Sequence, residues 1–292
     1  MNIDRAGRQG RVLVCIAASL LFAGCEQKSG SEAEYAERMA REHRNDQPVA
    51  SPATKVDATA PIKSQSVQYA TVNGKPVTGY LAYPAAAEGG MPAVLVFHEW
   101  WGLNDNIKAM ADQLAGQGYV ALAADLYGGQ AATQPEAARA LMEQALKDRD
   151  AMGQNLRQAH AYLKEQIKAT RVGTIGWCFG GSISLNTALL VPDQVDATVI
   201  YYGFVSAEPE KLKALKAPVL GLFGGADDGI PVEGVRAFEA ALKGLGKPVT
   251  IHVYDGAGHA FANPSGQNYK ADAAADAWQK SLAFLAEHLK GG

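Results

Sequence analysis

The chain has 292 residues, 48% hydrophobic and 20% charged, enough apolar material for one large catalytic domain with a buried core. A formal net charge of -3 and an isoelectric point near 6.1 leave no basic field for neutralising phosphates, so nucleic acid is excluded as an expected partner.

Arg5, Arg8 and Arg11 precede an apolar run from Val12 to Phe22, followed by Ala23-Gly24-Cys25. The run is too short to span a bilayer, and small residues ahead of a cysteine have the form of a lipoprotein signal peptide. Residues 1–24 are therefore expected to be removed and Cys25 to carry a lipid. Glu26, in place of the aspartate that marks inner-membrane retention, favours the outer membrane, with the protein facing the periplasm. The membrane is then a partner through the lipid anchor only. Cys15 leaves with the signal and Cys25 is acylated, so Cys178 is the one thiol left in the folded part and no intramolecular disulfide forms. A lone thiol in an oxidising compartment is either buried and inert or kept for its chemistry.

Residues 25–63 are rich in Ala, Glu, Arg, Gln, Pro and Ser, with at most a short helix from Glu32 to His43. They predict a flexible tether whose charges form a solvated face. The folded domain is expected over residues 64–292. It begins with alternating Val67, Tyr69, Thr71 and Val77, Gly79, Leu81, Tyr83 around Asn73-Gly74, the pattern of a β-hairpin. Continuous apolar runs follow at 93–97, 120–123, 172–176, 197–201, 219–223 and 249–253, which suit strands covered on both faces. Helix-length segments lie between them: 104–117, 135–169 with a break near Met152-Gly153, 180–190, 232–244 and 270–289. This alternation predicts an α/β domain with a mostly parallel central sheet, helices on both faces, and a site beyond the carboxyl ends of the strands.

The sharpest motif is Gly176-Trp177-Cys178-Phe179-Gly180-Gly181, between a strand and a helix. It has the form of a nucleophile elbow with cysteine in place of serine: a strained turn that lifts the reactive atom over the sheet edge, at a helix N-terminus that favours the thiolate. The phosphate-cradling alternative lacks both GxGxxG and GxxxxGK[ST]. Of six histidines, His43 falls in the tether, His160 and His288 in helices, and His252 within a strand. His98 and His259 lie at strand ends, and His259 follows the last strand, where this fold keeps its base. Asp227 and Asp228 compete as the acid that orients the imidazole. Spacing to Ile230-Pro231 favours Asp227 and leaves Asp228 as a cap for the helix that Pro231 opens. The backbone N–H groups of Trp100 and Phe179 are the expected oxyanion donors.

Together, His98-Glu99-Trp100-Trp101-Gly102, the Cys178 elbow, Asp227 with Ile230-Pro231, and Ala257-Gly258-His259-Ala260-Phe261 resemble the dienelactone hydrolase family of the α/β-hydrolase fold from about Ser66 to Leu289. The resemblance implies a Cys178-His259-Asp227 triad. It also implies that Glu99 shares hydrogen bonding with the resting thiol and swings away when substrate binds. Trp101, Phe261 and Arg139 are the candidate substrate-binding residues. Ala260-Phe261-Ala262-Asn263 departs from the family's Ser-Phe-Ala-Arg, so one cationic anchor for a substrate carboxylate is missing. The expected activity is hydrolysis of a small-molecule ester, lactone or thioester through an acyl-cysteine, by a monomer that calls on no metal or organic cofactor. An envelope peptidase or amidase using the same triad is the second enzymatic reading, and a non-catalytic lipoprotein binding or scaffold module is the alternative from another class.

Overall fold

A computed structural model describes residues 32–46, 48, 60–87 and 89–291. The expected signal peptide and Cys25 lie outside the described residues. The helix α1 spans Glu32–Glu42, and the hairpin expected around Asn73-Gly74 is present as β1 (Ile62–Val72) and β2 (Lys75–Pro84). Asn73 and Gly74 both take positive φ, 48° and 73°, as a tight two-residue hairpin turn requires.

Then come β3 (Ala93–Phe97), α2 (Asp105–Gly116), β4 (Val120–Ala124), α3 (Pro135–Lys147), α4 (Arg149–Glu165), β5 (Val172–Trp177) and α5 (Phe179–Leu190). The chain continues through β6 (Ala197–Tyr201), the short α6 (Pro209–Leu212), β7 (Val219–Gly224), α7 (Val232–Gly244), β8 (Val249–Tyr254) and α8 (Ala271–Leu289). The strands form one eight-stranded sheet in the order β1-β2-β4-β3-β5-β6-β7-β8. β1/β2 and β2/β4 pair antiparallel, and every other neighbour pair is parallel. Every residue of β3, β4, β5, β6 and β7 is buried. Both faces of the sheet are therefore covered, and this explains their unbroken apolar runs. β5 lies near the middle of the sheet, so its carboxyl end opens where loops from both halves can reach it.

Two expectations change. The long helical segment breaks at Asp148, not at Met152-Gly153: the Asp148 carboxylate accepts from the Ala151 N–H at 2.9 Å and starts α4, while Gly153 sits inside that helix. The stretch expected to be a solvated tether is packed over part of its length, since Tyr35, Ala36, Met39 and His43 are buried. Tyr35, Ala36 and Met39 recur at helical spacing and form an apolar stripe along α1, which His43 continues just past its end.

Candidate active site

Cys178 joins β5 to α5 with φ 55° and ψ -119°, a conformation that costs a non-glycine residue about 1–3 kcal/mol. The turn is over-determined by its neighbours. A Cβ on Gly176 would come within 2.0 Å of the Gly180 carbonyl oxygen, and one on Gly180 within 2.3 Å of the Phe97 oxygen. Phe179 opens α5, so its N–H is among those with no partner inside the helix.

His259 follows β8 and is fully buried. Its Nδ1 donates to Asp227 Oδ2 at 2.8 Å, while its Nε2 is buried without a hydrogen-bond partner and faces the thiol region. Asp227 also accepts from the Ile230 N–H at 2.8 Å, which gives the spacing to Ile230-Pro231 its physical reason. Of the two adjacent aspartates, Asp227 is the one the structure pairs with the imidazole. Asp227→Asn is expected to lower kcat for a p-nitrophenyl ester by about 10³–10⁴-fold, and Asp228→Asn by less than about threefold; steady-state kinetics on both variants checks this.

Burial pushes the Cys178 thiol up, but the charges of His259 and His43 beside it outweigh burial and bring it down to about 6. Burial alone would lower the His259 imidazole, and the Asp227 carboxylate raises it well above its ordinary value. Both shifts favour a thiolate beside an imidazolium at neutral pH. Below about pH 6 the thiolate is protonated, and kcat/KM is expected to fall about tenfold per pH unit. Because His43 helps to hold the thiol down, His43→Ala should move that acid limb to higher pH, as a pH–rate profile would record.

Glu99 is buried; its Oε2 accepts from Asn263 Nδ2 at 2.6 Å and its Oε1 from the Tyr202 hydroxyl at 3.5 Å. The hydrogen bond to the resting thiol implied by the family resemblance is replaced here by these two. Burial, followed by the nearby Cys178, lifts the Glu99 carboxyl to about 8. Trp100, Trp101 and Phe261 are fully buried around the site, with Trp100 stacked 4.8 Å from the His43 ring. Arg139 lies elsewhere: its Nε pairs with Glu143 at 2.8 Å along α3, on a side chain 42% exposed.

The residue that sequence reasoning missed is His43. Its Nε2 lies 3.6 Å from Cys178 Sγ, and its Nδ1 bonds to Asp46 Oδ2 at 2.8 Å. Met39 Sδ is also 3.6 Å from Cys178 Sγ. The signal was the four-residue spacing Tyr35, Met39, His43, which puts all three on one helical face. Between α1 and α5, a cleft of about 440 Å³ is lined by Tyr35, Phe179, Ile183 and Phe204, with Arg149 and Lys211 also in its wall; Cys178 itself does not line it.

A sequence model of the dienelactone hydrolase family matches residues 77–289. Protein usf of Aquifex pyrophilus is 34% identical over 224 residues, covering 74% of this chain and 96% of its own. A protein of Aquifex aeolicus provisionally named a carboxymethylenebutenolidase is 33% identical, covering 75% and 96%. Among solved structures, a dienelactone hydrolase-like promiscuous phosphotriesterase from metagenomic libraries superposes with a TM-score of 0.71 at 25% identity, over 78% of this chain and 98% of that one.

Proposed function

The chain belongs to the dienelactone hydrolase family and is a hydrolase of ester or lactone bonds, and from that premise we propose that it works through a Cys178-His259-Asp227 triad and an acyl-cysteine intermediate. The observation that carries this reading is the His259–Asp227 pair with the unpartnered Nε2 facing a thiol held on a strained elbow. The Cys178 thiolate attacks the carbonyl carbon, forming the S–C bond, and the oxyanion rests on the N–H groups of Phe179 and Trp100. When the C–O bond breaks, His259 gives its Nε2 proton to the leaving alkoxide. Water then attacks the thioester while His259 takes its proton, releasing the acid and restoring the thiol.

Attack needs a carbonyl carbon about 3–3.5 Å from the sulfur, and Met39 and His43 fill that space. The helix α1 therefore shifts before substrate enters, and the cleft beside it takes an apolar acyl or alkyl group. Arg139 is engaged with Glu143 and no arginine follows His259, so recognition of a dienelactone carboxylate has weak support and other esters are favoured.

Brief mixing with p-nitrophenyl acetate followed by peptide mass spectrometry tests the intermediate. An acetyl group on the Cys178 peptide is expected; a burst of nitrophenol with Cys178 unmodified would overturn it. The enzyme is further proposed to act as a monomer held in the envelope by a lipid on Cys25. Sedimentation and the mass of the mature N-terminal peptide check these two points.

A further inference from the structure

We propose that α1, by bringing His43 and Met39 against Cys178 and His259, completes a buried binding site for a thiophilic d-block cation, with copper(I) preferred over zinc. Cys178, His43 and His259 each offer a ligand atom, and the three atoms lie within 4.8 Å of one another. Both rings are fixed the same way: Nδ1 of His43 bonds to Asp46 and Nδ1 of His259 to Asp227, each at 2.8 Å. Each imidazole thus presents Nε2, and a carboxylate behind a ligating histidine is the arrangement that sets tautomer, orientation and basicity in metal sites.

The spacing agrees. Metal–sulfur and metal–nitrogen bonds of about 2.3 and 2.0–2.1 Å, opened to a tetrahedral angle, put the two donor atoms about 3.6 Å apart. The His43 Nε2 to Cys178 Sγ separation is 3.6 Å, a hydrogen-bond distance for sulfur and equally the edge length of such a tetrahedron. The second, independent sign is His259 Nε2, which is fully buried, aimed at the same point and without a hydrogen-bond partner. Met39 Sδ, 3.6 Å from the thiol, supplies a thioether, and two imidazoles, a thiolate and a thioether are a soft donor set that suits copper better than zinc.

A helix that only shut the pocket would need apolar side chains. α1 instead delivers an imidazole with its own buried carboxylate, and each stands where a ligand and its orienting partner belong. Binding forms one Sγ–metal and two Nε2–metal bonds and releases the Nε2 protons of the His43 and His259 imidazoliums to solvent, because the sulfur is already a thiolate at neutral pH; no oxidation state changes. The bound form holds α1 down on the nucleophile and excludes substrate.

The test uses the purified full chain, reduced and stripped by chelator, titrated with Co²⁺. Thiolate-to-cobalt charge transfer and intense d–d bands of four-coordination are expected to saturate at one equivalent, and zinc and copper(I) should displace the cobalt. Asp46→Asn, which keeps the shape of the side chain, should weaken binding about 10–100-fold, and His43→Gln at least as much. Met39→Leu should cost copper(I) affinity more than zinc affinity. No saturable band, or a band unchanged in both His43→Gln and Asp46→Asn, overturns the site; equal losses of copper and zinc in Met39→Leu overturn the preference for copper. Ester turnover measured with chelator present reports on the triad alone, so failure of the metal site and failure of the hydrolytic reading give different results.

Discussion

Cys178→Ala is expected to reduce kcat/KM for p-nitrophenyl acetate by on the order of 10⁴-fold, leaving the rate that oxyanion donors and binding supply without a nucleophile. The size follows from the division of labour at the elbow. His259 and His43 hold the thiol down at about 6, so in the proposed mechanism the resting enzyme already carries a thiolate at neutral pH. Cys178→Ser should fall only slightly short of the alanine loss. A serine hydroxyl gains little from a field tuned to a thiolate, and it needs full proton removal by His259. Turnover in the alanine variant within tenfold of the parent would mean that the sulfur is not the nucleophile. Wild-type and variant folds can be compared by circular dichroism, and only a small difference is expected because alanine keeps the Cβ that the turn already accommodates.

Gly180→Ala should be strongly destabilising, by about 3 kcal/mol or more. The added carbon would lie 2.3 Å from the Phe97 carbonyl oxygen and 2.5 Å from that of His98. Both are backbone atoms at the end of β3, so no rotamer change relieves the clash. The first turn of α5 can only move away from the sheet, which tilts Cys178 with it. Urea unfolding measures the stability loss, and activity should be lost together with it. Gly153→Ala is the contrasting control: that position lies in α4, where an added Cβ meets nothing within 4 Å, and it should be neutral or slightly stabilising.

Legibility in the sequence follows the range of the interactions. The elbow could be read because its constraint is local: Gly176 and Gly180 are forced by backbone atoms a few residues away or on the adjoining strand. The preference for Asp227 over Asp228 was likewise a matter of spacing, and the Ile230 N–H bond to Asp227 is its cause. The break between α3 and α4 was assigned to Gly153 because glycine is a strong punctuator, whereas the Asp148 cap defines the boundary. For His43 the four-residue spacing with Tyr35 and Met39 marks a helical face but not what that face packs against. Its contact with Cys178 spans 135 residues, and a buried histidine within a charged, alanine-rich stretch looks the same as a solvated one until the tertiary fold is known. Glu99 was placed at the site by resemblance, but its bonds to Asn263 and Tyr202 depend on loops whose approach no spacing rule encodes.

The family match begins at residue 77, yet Met39 and His43, the side chains in contact with the sulfur, come from well before it. The matched stretch holds Cys178, Asp227 and His259, and the side chains that cover the sulfur come from outside it. A chain trimmed or recombined at the edge of the matched stretch would keep Cys178, His259 and Asp227 and receive a different ceiling over them. In such a molecule chemistry and selectivity can change hands separately, one carried by the sheet and the other by whatever sequence happens to precede it.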